Sequence, residues 1–212
     1  METILPNLHM YTPKPFAITD QSIINQIIYD NSFATLVSGT EGSLVATHIP
    51  LLLNPSEQVL FGHIARQNPQ GEVLDDRDIL AIFQGPHAYI SPSWYETNKS
   101  VPTWNYLSVH VYGKASLVRN EEELRKSLDE LILKYEGENS PFFLRNMDEK
   151  YINALIGGII GIKIKITKIE ATAKLSQNHS LERKNLVIQE LEKQKDQNAN
   201  EIAKWMRENL NA

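Results

Sequence analysis

Residues Ile160 to Thr167 read IGIKIKIT: isoleucines at 160, 162, 164 and 166 alternate with Gly161, Lys163, Lys165 and Thr167. A period of two puts the isoleucines on one side of an extended chain and the polar residues on the other, the mark of a strand with one face in a core. This is the clearest strand in the chain, and its surroundings decide what sheet it joins. Upstream, Gly157-Gly158 ends a short helix expected from near Asp148. Asn120 followed by Glu123 caps a longer helix expected over Glu121 to Tyr135, with Leu124, Leu128, Leu131 and Ile132 along one side.

Further towards the N-terminus, strand signals dominate. Phe33 to Ser38, Ser43 to Leu53, Val59 to Ala65, Ile79 to Phe83, His87 to Ser91 and Tyr106 to Leu117 are short, rich in Val, Ile, Leu and aromatics, and separated by Gly, Pro, Asn and Ser. Asn54-Pro55-Ser56-Glu57 reads as a hairpin turn. In the last strand Leu107, Val109 and Val111 alternate with Ser108, His110 and Tyr112, giving one core face and one face available to a site. Asp20 is placed to cap a helix over Gln21 to Asp30, where Ile23, Ile24, Ile27 and Ile28 recur at helical spacing. Six or seven antiparallel strands with helices inserted, and no regular βαβ alternation, point to a mainly β barrel with peripheral helices. Beyond Asn178 the chain turns to Glu, Lys, Gln and Asn with Leu186, Ile188, Leu191, Ile202, Trp205 and Met206, an amphipathic helical tail or helix pair. The expected division is a barrel domain over residues 1–178 and a helical C-terminal appendage over 179–212.

Composition narrows the chemistry. With 212 residues, 42% hydrophobic and 22% charged, the chain builds one sizeable core. It has no cysteine, which removes disulfides, thiolate nucleophiles and cysteine-based metal sites, and agrees with a reducing compartment. The start, METILPNLHMYTPKPF, lacks a basic region followed by an apolar run, and the apolar run around Ala154 to Ile162 is too short and glycine-rich to span a bilayer, so a cytoplasmic location and no membrane partner are expected. A net charge of -5 opposes nonspecific affinity for nucleic acid. The six histidines (9, 48, 63, 87, 110 and 179) show no helical i, i+4 pair or zinc-like pattern, so no metal is expected. Neither a nucleophile elbow nor a phosphate-cradling glycine loop is present, so no catalytic residue is assigned.

The stretch that asks for a ligand is Gly85 to Gly113, GPHAYISPSWYETNKSVPTWNYLSVHVYG. A core-filling strand wants β-branched residues alternating with polar ones; Trp94, Tyr95, Trp104, Asn105 and Tyr106 in Pro-punctuated loops suit the binding of a flat ring better. Together with MYTPKPF (Met10 to Phe16), ATHIPLLL (Ala46 to Leu53), GHIARQNPQ (Gly62 to Gln70), FQGPHAYISPSWY (Phe83 to Tyr95), VPTWNY and AKLSQN (Ala173 to Asn178), it resembles the PaiB-type FMN-binding negative transcriptional regulators, in consistent order from Met10 to Asn178. Where that family usually carries an aromatic after its NPQ or similar triplet, this chain has Gly71.

The resemblance implies a split β-barrel similar to flavin reductases and pyridoxamine phosphate oxidases, a homodimer, and FMN held in clefts between the subunits. FMN needs cationic and N–H donors for its phosphate, donors around its ring edge, and a flat wall. By resemblance, Arg66 at the end of the strand Val59 to Ala65, with His63 and Asn68, matches the phosphate site; the plainer alternative is a surface ion pair and an Asn68-Pro69 turn. Thr47 and His48 fall on opposite faces of a strand running under the ring, with His48 weighted towards a core or interface role. Ser91, Ser93, Trp94, Thr103, Trp104 and Asn105 combine hydroxyls, an amide and large rings, suited to a cofactor wall, a dimer interface, or both. Lys174 and Gln177 in AKLSQN either cap the cleft or end a strand.

Three functions compete. The resemblance implies an FMN-binding repressor of the kind tied to sporulation and degradative-enzyme control, with DNA as a possible partner. No helix-turn-helix is apparent, and the basic candidates are limited to Lys163, Lys165, Lys168, Arg183 and Lys184. The others are an FMN-dependent oxidoreductase acting on a small substrate, and a haem-binding split barrel using His63 or His179.

Overall fold

Eight consecutive Cα pairs, from Phe33 opposite Pro50 to Thr40 opposite Ser43, zip the strands β1 (Phe33–Thr40) and β2 (Ser43–Pro50) into an antiparallel hairpin. Gly42 lies in the turn that joins them, at φ 84°, a conformation glycine adopts without cost. This is a computed structural model describing residues 10–40 and 42–210. Five further strands follow: β3 (Leu52–Asn54), β4 (Val59–Ala65), β5 (Arg77–Ile90), β6 (Thr103–Val118) and β7 (Ile159–Lys174). The seven form one antiparallel sheet in the order β2-β1-β5-β6-β7-β4-β3. Among the described residues five α-helices accompany it: α1 (Gln21–Asp30), α2 (Glu121–Glu136), α3 (Glu149–Gly157), α4 (Leu181–Glu192) and α5 (Gln197–Leu210). The mainly β, antiparallel architecture with peripheral helices is as expected.

Several boundaries differ from the sequence reading. β6 begins at Thr103 and not at Tyr106, so Trp104 and Asn105 lie in a strand where a Pro-punctuated loop was expected. Ile79–Phe83 and His87–Ser91 are not two strands but parts of one, β5, which runs through Gly85 and Pro86. β1 pairs with β5 only over Ile79–Ile82, so the missing N–H of Pro86 lies beyond the reach of that ladder. The expected strand Ser43 to Leu53 breaks at Leu51, which is fully buried and sends its N–H to the Ser32 carbonyl instead (2.8 Å).

By contacts the chain falls into two compact units. The first comprises Ile28–Phe83 and Val111–Ile169. Its core gathers Leu36, Leu51, Leu60, Leu74, Phe83, Val111, Ile162 and Ile164, all fully buried. Each such side chain contributes about 1.5–3 kcal/mol of burial. β4 and β7 pair from Val59 opposite Lys165 to Ala65 opposite Ile159. Gly62 permits the corner between β2 and β3 to pass close by, since a Cβ there would lie 2.8 Å from the Pro50 carbonyl oxygen and 2.7 Å from Leu51 Cδ2. Helix α2 starts at Asn120, whose side chain accepts the Glu123 N–H (2.9 Å), and its Leu124 lies on Gly161 of β7. Helix α3 starts at Asp148, which accepts the Tyr151 N–H (2.9 Å).

The second unit contains the remaining described residues, within Met1–Ile27, Gln84–His110 and Glu170–Ala212. Asp20 caps α1, accepting the Ser22 N–H at 2.8 Å and its hydroxyl at 2.6 Å. On β6, Leu107 and Val109 are buried while Ser108 and His110 are only half-buried, so the two faces read from the sequence are real. The expected tail is a helix pair: Val187, Ile188 and Leu191 of α4 and Ala199, Ile202, Ala203 and Met206 of α5 are buried. Among the described residues no helix is long and apolar enough to cross a membrane.

Candidate functional site

In the first unit, β4 ends at Arg66, and the guanidinium turns onto the junction of α3 and β7. Its Nε donates to the Gly157 carbonyl (2.6 Å), its Nη2 to the Ile159 carbonyl (2.8 Å), and its backbone N–H to the Gly158 carbonyl (2.8 Å). A helix C-terminus leaves carbonyls without intrahelical partners, and a cation answers both their hydrogen-bonding need and their partial negative charge. The side chain is nevertheless exposed and borders a hollow of about 320 Å3 that Arg119 also lines.

Two residues further, Asn68 organises the turn that follows. Its Oδ1 accepts the Gln70 N–H (2.9 Å), capping a single 3-10 turn over Pro69–Glu72, and its Nδ2 donates to Thr47 Oγ1 (3.0 Å). Thr47 and Asn68 are thus brought together. His48 points to the other face of β2, its Nδ1 3.0 Å from Thr35 Oγ1 and its ring stacked on Phe33 at 6.3 Å. His63 pairs with Gly161 across β4 and β7, and burial lowers its pKa below the usual 6.5, so it is a neutral donor or acceptor at neutral pH.

Gln70 was not singled out from the sequence, although it closes the NPQ triplet. It is fully buried, and its Nε2 lies within reach of Ser38 Oγ (2.9 Å), the Leu36 carbonyl (3.1 Å) and the Val45 carbonyl (3.4 Å), locking the turn to the β1/β2 hairpin. Its Oε1 has no partner among the described residues. Gly71 is also buried: a Cβ there would lie 3.0 Å from Ile160 Cδ1 and 3.3 Å from Ile64 Cδ1, so position 71 faces the core.

In the second unit, three rings share one place. Trp104, 51% exposed on β6, lies between Tyr89 (6.0 Å, edge-on) and His87 (6.0 Å, tilted) of β5. Next to it, the Lys174 ammonium donates to Thr103 Oγ1, and burial lowers its pKa. Ser91 and Ser93 face each other (Oγ to Oγ 2.8 Å), and the Ser91 hydroxyl oxygen accepts the Ser93 N–H (3.2 Å), shaping a 3-10 turn over Pro92–Trp94. Trp94 is half-buried.

Asn105 and Gln177 are turned to internal tasks. Asn105 is fully buried, donating to Ser176 Oγ (3.0 Å) and to Met206 Sδ (3.4 Å). Gln177 accepts the Leu175 N–H (2.7 Å) and donates to the Ala173 carbonyl (2.5 Å), which fixes a turn with Ser176 at φ 63°.

A further cluster escaped the sequence reading. Arg183 grips Glu96 through Nη2 (2.6 Å) and Nε (3.1 Å), lies 4.7 Å over the Tyr95 ring, and neighbours His179, which packs against Tyr95 at 5.8 Å. Hydrogen bonding to Arg183 pulls the Glu96 carboxyl down, while burial lowers His179 and raises Tyr95. The loop after β5 is thereby fastened to the start of α4. Of the basic residues considered for DNA, Arg183 is spent on this pair and Lys163 on Glu123 (2.8 Å), while Lys168 stands 5.2 Å from the Tyr112 ring.

Comparison with known proteins gives these clusters a context. Residues 10–168 match the family profile described as "Putative FMN-binding domain". The chain is 40% identical over 205 residues to "Protease synthase and sporulation protein PAI 2" of Bacillus subtilis (strain 168), covering 95% of this chain and 98% of that one. It is 31% identical to a protein of Emericella nidulans, AN0679, covering 79% of this chain and 84% of the other. Among solved structures, it resembles the FAD and haem binding protein of Mycobacterium smegmatis (TM-score 0.59, 14% identity, covering 74% of this chain and 73% of that one). The flavocytochrome Anf3 of Azotobacter vinelandii is similar at TM-score 0.56 and 15% identity, over 74% and 69%. At those identities the likeness is one of fold, the split barrel.

FMN is the cofactor this family assignment brings to the chain. Each unit, taken by itself, holds groups of the kinds FMN uses: the Arg66 guanidinium and the Thr47–Asn68 pair in the first, and an ammonium, hydroxyls and an exposed indole in the second.

Proposed function

We propose a function from the family to which this chain belongs, the PaiB-type FMN-binding proteins: it is a flavin-holding regulator of transcription, acting as a repressor and as a homodimer. The observation that carries the reading is the 40% identity, across 98% of its length, to a Bacillus protein named for protease synthesis and sporulation. In this reading Arg66, His63, Asn68 and Thr47 receive the phosphate end. Trp104, Trp94, Thr103, Ser91, Ser93 and Lys174 serve the ring and the subunit contact, while Asn105 and Gln177 hold that set in shape. The bound flavin supplies a redox-active ring; the side chains orient it and exclude water. His48 belongs to the subunit contact. The alternating register puts Phe33, Thr35 and Val37 of β1 and Ala46, His48 and Pro50 of β2 on one face, where Phe33 is 68% exposed, and such an apolar sheet face suits a second copy of the chain.

An absorbance spectrum of the purified protein, combined with a promoter-DNA retention assay with and without FMN, tests the reading. A flavin spectrum and FMN-dependent retention are expected. Colourless protein that neither quenches FMN fluorescence nor retains DNA in either condition sinks it. Steady turnover of a reduced nicotinamide by the flavin-loaded protein would favour the oxidoreductase instead, and a Soret band lost on changing His63 or His179 the haem reading.

A further inference from the structure

The second unit contains a hollow that shares one residue, Gln177, with the flavin reading. About 680 Å3 in volume, it lies among the segment before α1, the first turns of α1, the end of β7 and the last turns of α5. Phe16, Ile18, Ile23, Leu175 and Trp205 supply apolar wall. A cavity of about 300–1,000 Å3 with such walls is the size that takes a small organic ligand.

Charge decides what kind. Asp20 and Glu208 both stand in the lining, and among the described residues no Lys, Arg or His does. The Ser22 hydroxyl and N–H hold the Asp20 carboxyl below the usual carboxylate range, so it carries its charge at neutral pH. A dianionic phosphate entering here would meet two carboxylates and, among the described residues, no cation, a balance unfavourable to FMN. A cation with a hydrocarbon body meets the opposite balance: carboxylates for its head, apolar wall for its body, and the Trp205 indole as a further electrostatic partner. Gln177 also lines the hollow, but its amide is closed onto Leu175 N–H and the Ala173 carbonyl, so it adds wall.

We propose that this hollow is a second ligand site, for a small organic cation of the primary-amine class whose apolar part lies against Phe16, Leu175 and Trp205 while Asp20 and Glu208 receive its ammonium. The site stands whether or not the flavin reading holds, because it draws on none of the phosphate-end residues.

Calorimetric titration of the full chain with n-hexylamine, n-hexanol and hexanoate tests it. Saturable hexylamine binding is expected, at least about tenfold tighter than that of the neutral and anionic analogues, the scale of a charge-assisted hydrogen bond. Glu208→Gln and Asp20→Asn should each weaken it severalfold; asparagine caps a helix as well as aspartate does, so the second variant removes charge and keeps α1. Arg66→Ala and saturating FMN should leave the hexylamine affinity unchanged, and melting curves show that the variants are folded. Equal binding of all three compounds, no binding, indifference to both charge changes, or displacement by FMN would overturn the proposal. So would binding that appears only in a chain shortened to begin at Met10, since residues 1–9 would then be the occupant.

Discussion

Arg66 ties the end of β4 to the carbonyls after α3, and the proposed site gives it a second role that substitution tests. As the phosphate anchor of the proposed site, Arg66→Ala should weaken FMN binding by about 1.5–3 kcal/mol, the scale for losing a hydrogen bond to a charged group. Fluorescence quenching measures it, and unchanged affinity would move the phosphate elsewhere. Because the same fork spans the Gly157 and Ile159 carbonyls, Arg66→Lys should keep the charge yet fail to restore both contacts. Gln70 is the sharper stability test: Gln70→Ala removes a fully buried amide from Ser38 and the β1/β2 carbonyls and should cost about 2–4 kcal/mol in chemical denaturation, the sum of a cavity and lost hydrogen bonds. A loss under about 0.5 kcal/mol, the range of ordinary surface substitutions, would show the amide to be idle. The sequence offered Arg66, Asn68 and Thr47 through the family resemblance, with an Asn68-Pro69 turn as the plainer alternative, and the turn is formed. It gave Gln70 no role, since a glutamine after a proline looks solvated until the fold buries it.

At the scale of elements, local chemistry announced itself and long-range pairing did not. Asp20, Asn120 and the region of Asp148 were readable as helix starts because a cap involves residues two or three apart. β5 was read as two strands because Gly85-Pro86 is a breaker by composition; that β1 stops pairing at Ile82 is a fact of the assembled sheet. Nor does anything near Glu96 foretell Arg183, 87 residues away. That pair fastens the loop carrying Ser93 and Trp94. Glu96→Gln should therefore raise the rate of limited proteolysis between Ser91 and Pro102 severalfold, with little change in global unfolding, as expected when a local opening becomes easier. Equal cleavage rates would show that the loop is held by other contacts.

For the whole molecule, pH is the readiest lever. Burial lowers the pKa of His63, His110 and His179 below the ordinary 6.5, so the unfolded chain takes up these protons first. Stability should be flat on this account above 6.5 and should fall as pH drops through the interval between 6.5 and the folded values, because there the unfolded state binds more protons. Denaturation midpoints at about pH 7.5 and 5.5 measure the fall, and His63→Gln should shrink it. A midpoint that rises on acidification would refute this sign. Assembly is the second lever: Phe33→Glu places a charge on the exposed hairpin face and should convert a dimer to a monomer in light scattering, with loss of FMN affinity if the cleft is shared. Retention of both would separate that face from the subunit contact.

The grip of Arg66 on the carbonyls after α3 makes that short helix a reporter. Any anion drawn to the fork competes for the same N–H groups, so occupancy at the end of β4 should be felt as a changed amide hydrogen-exchange rate across Ile156 to Ile160, the segment whose carbonyls the fork now holds.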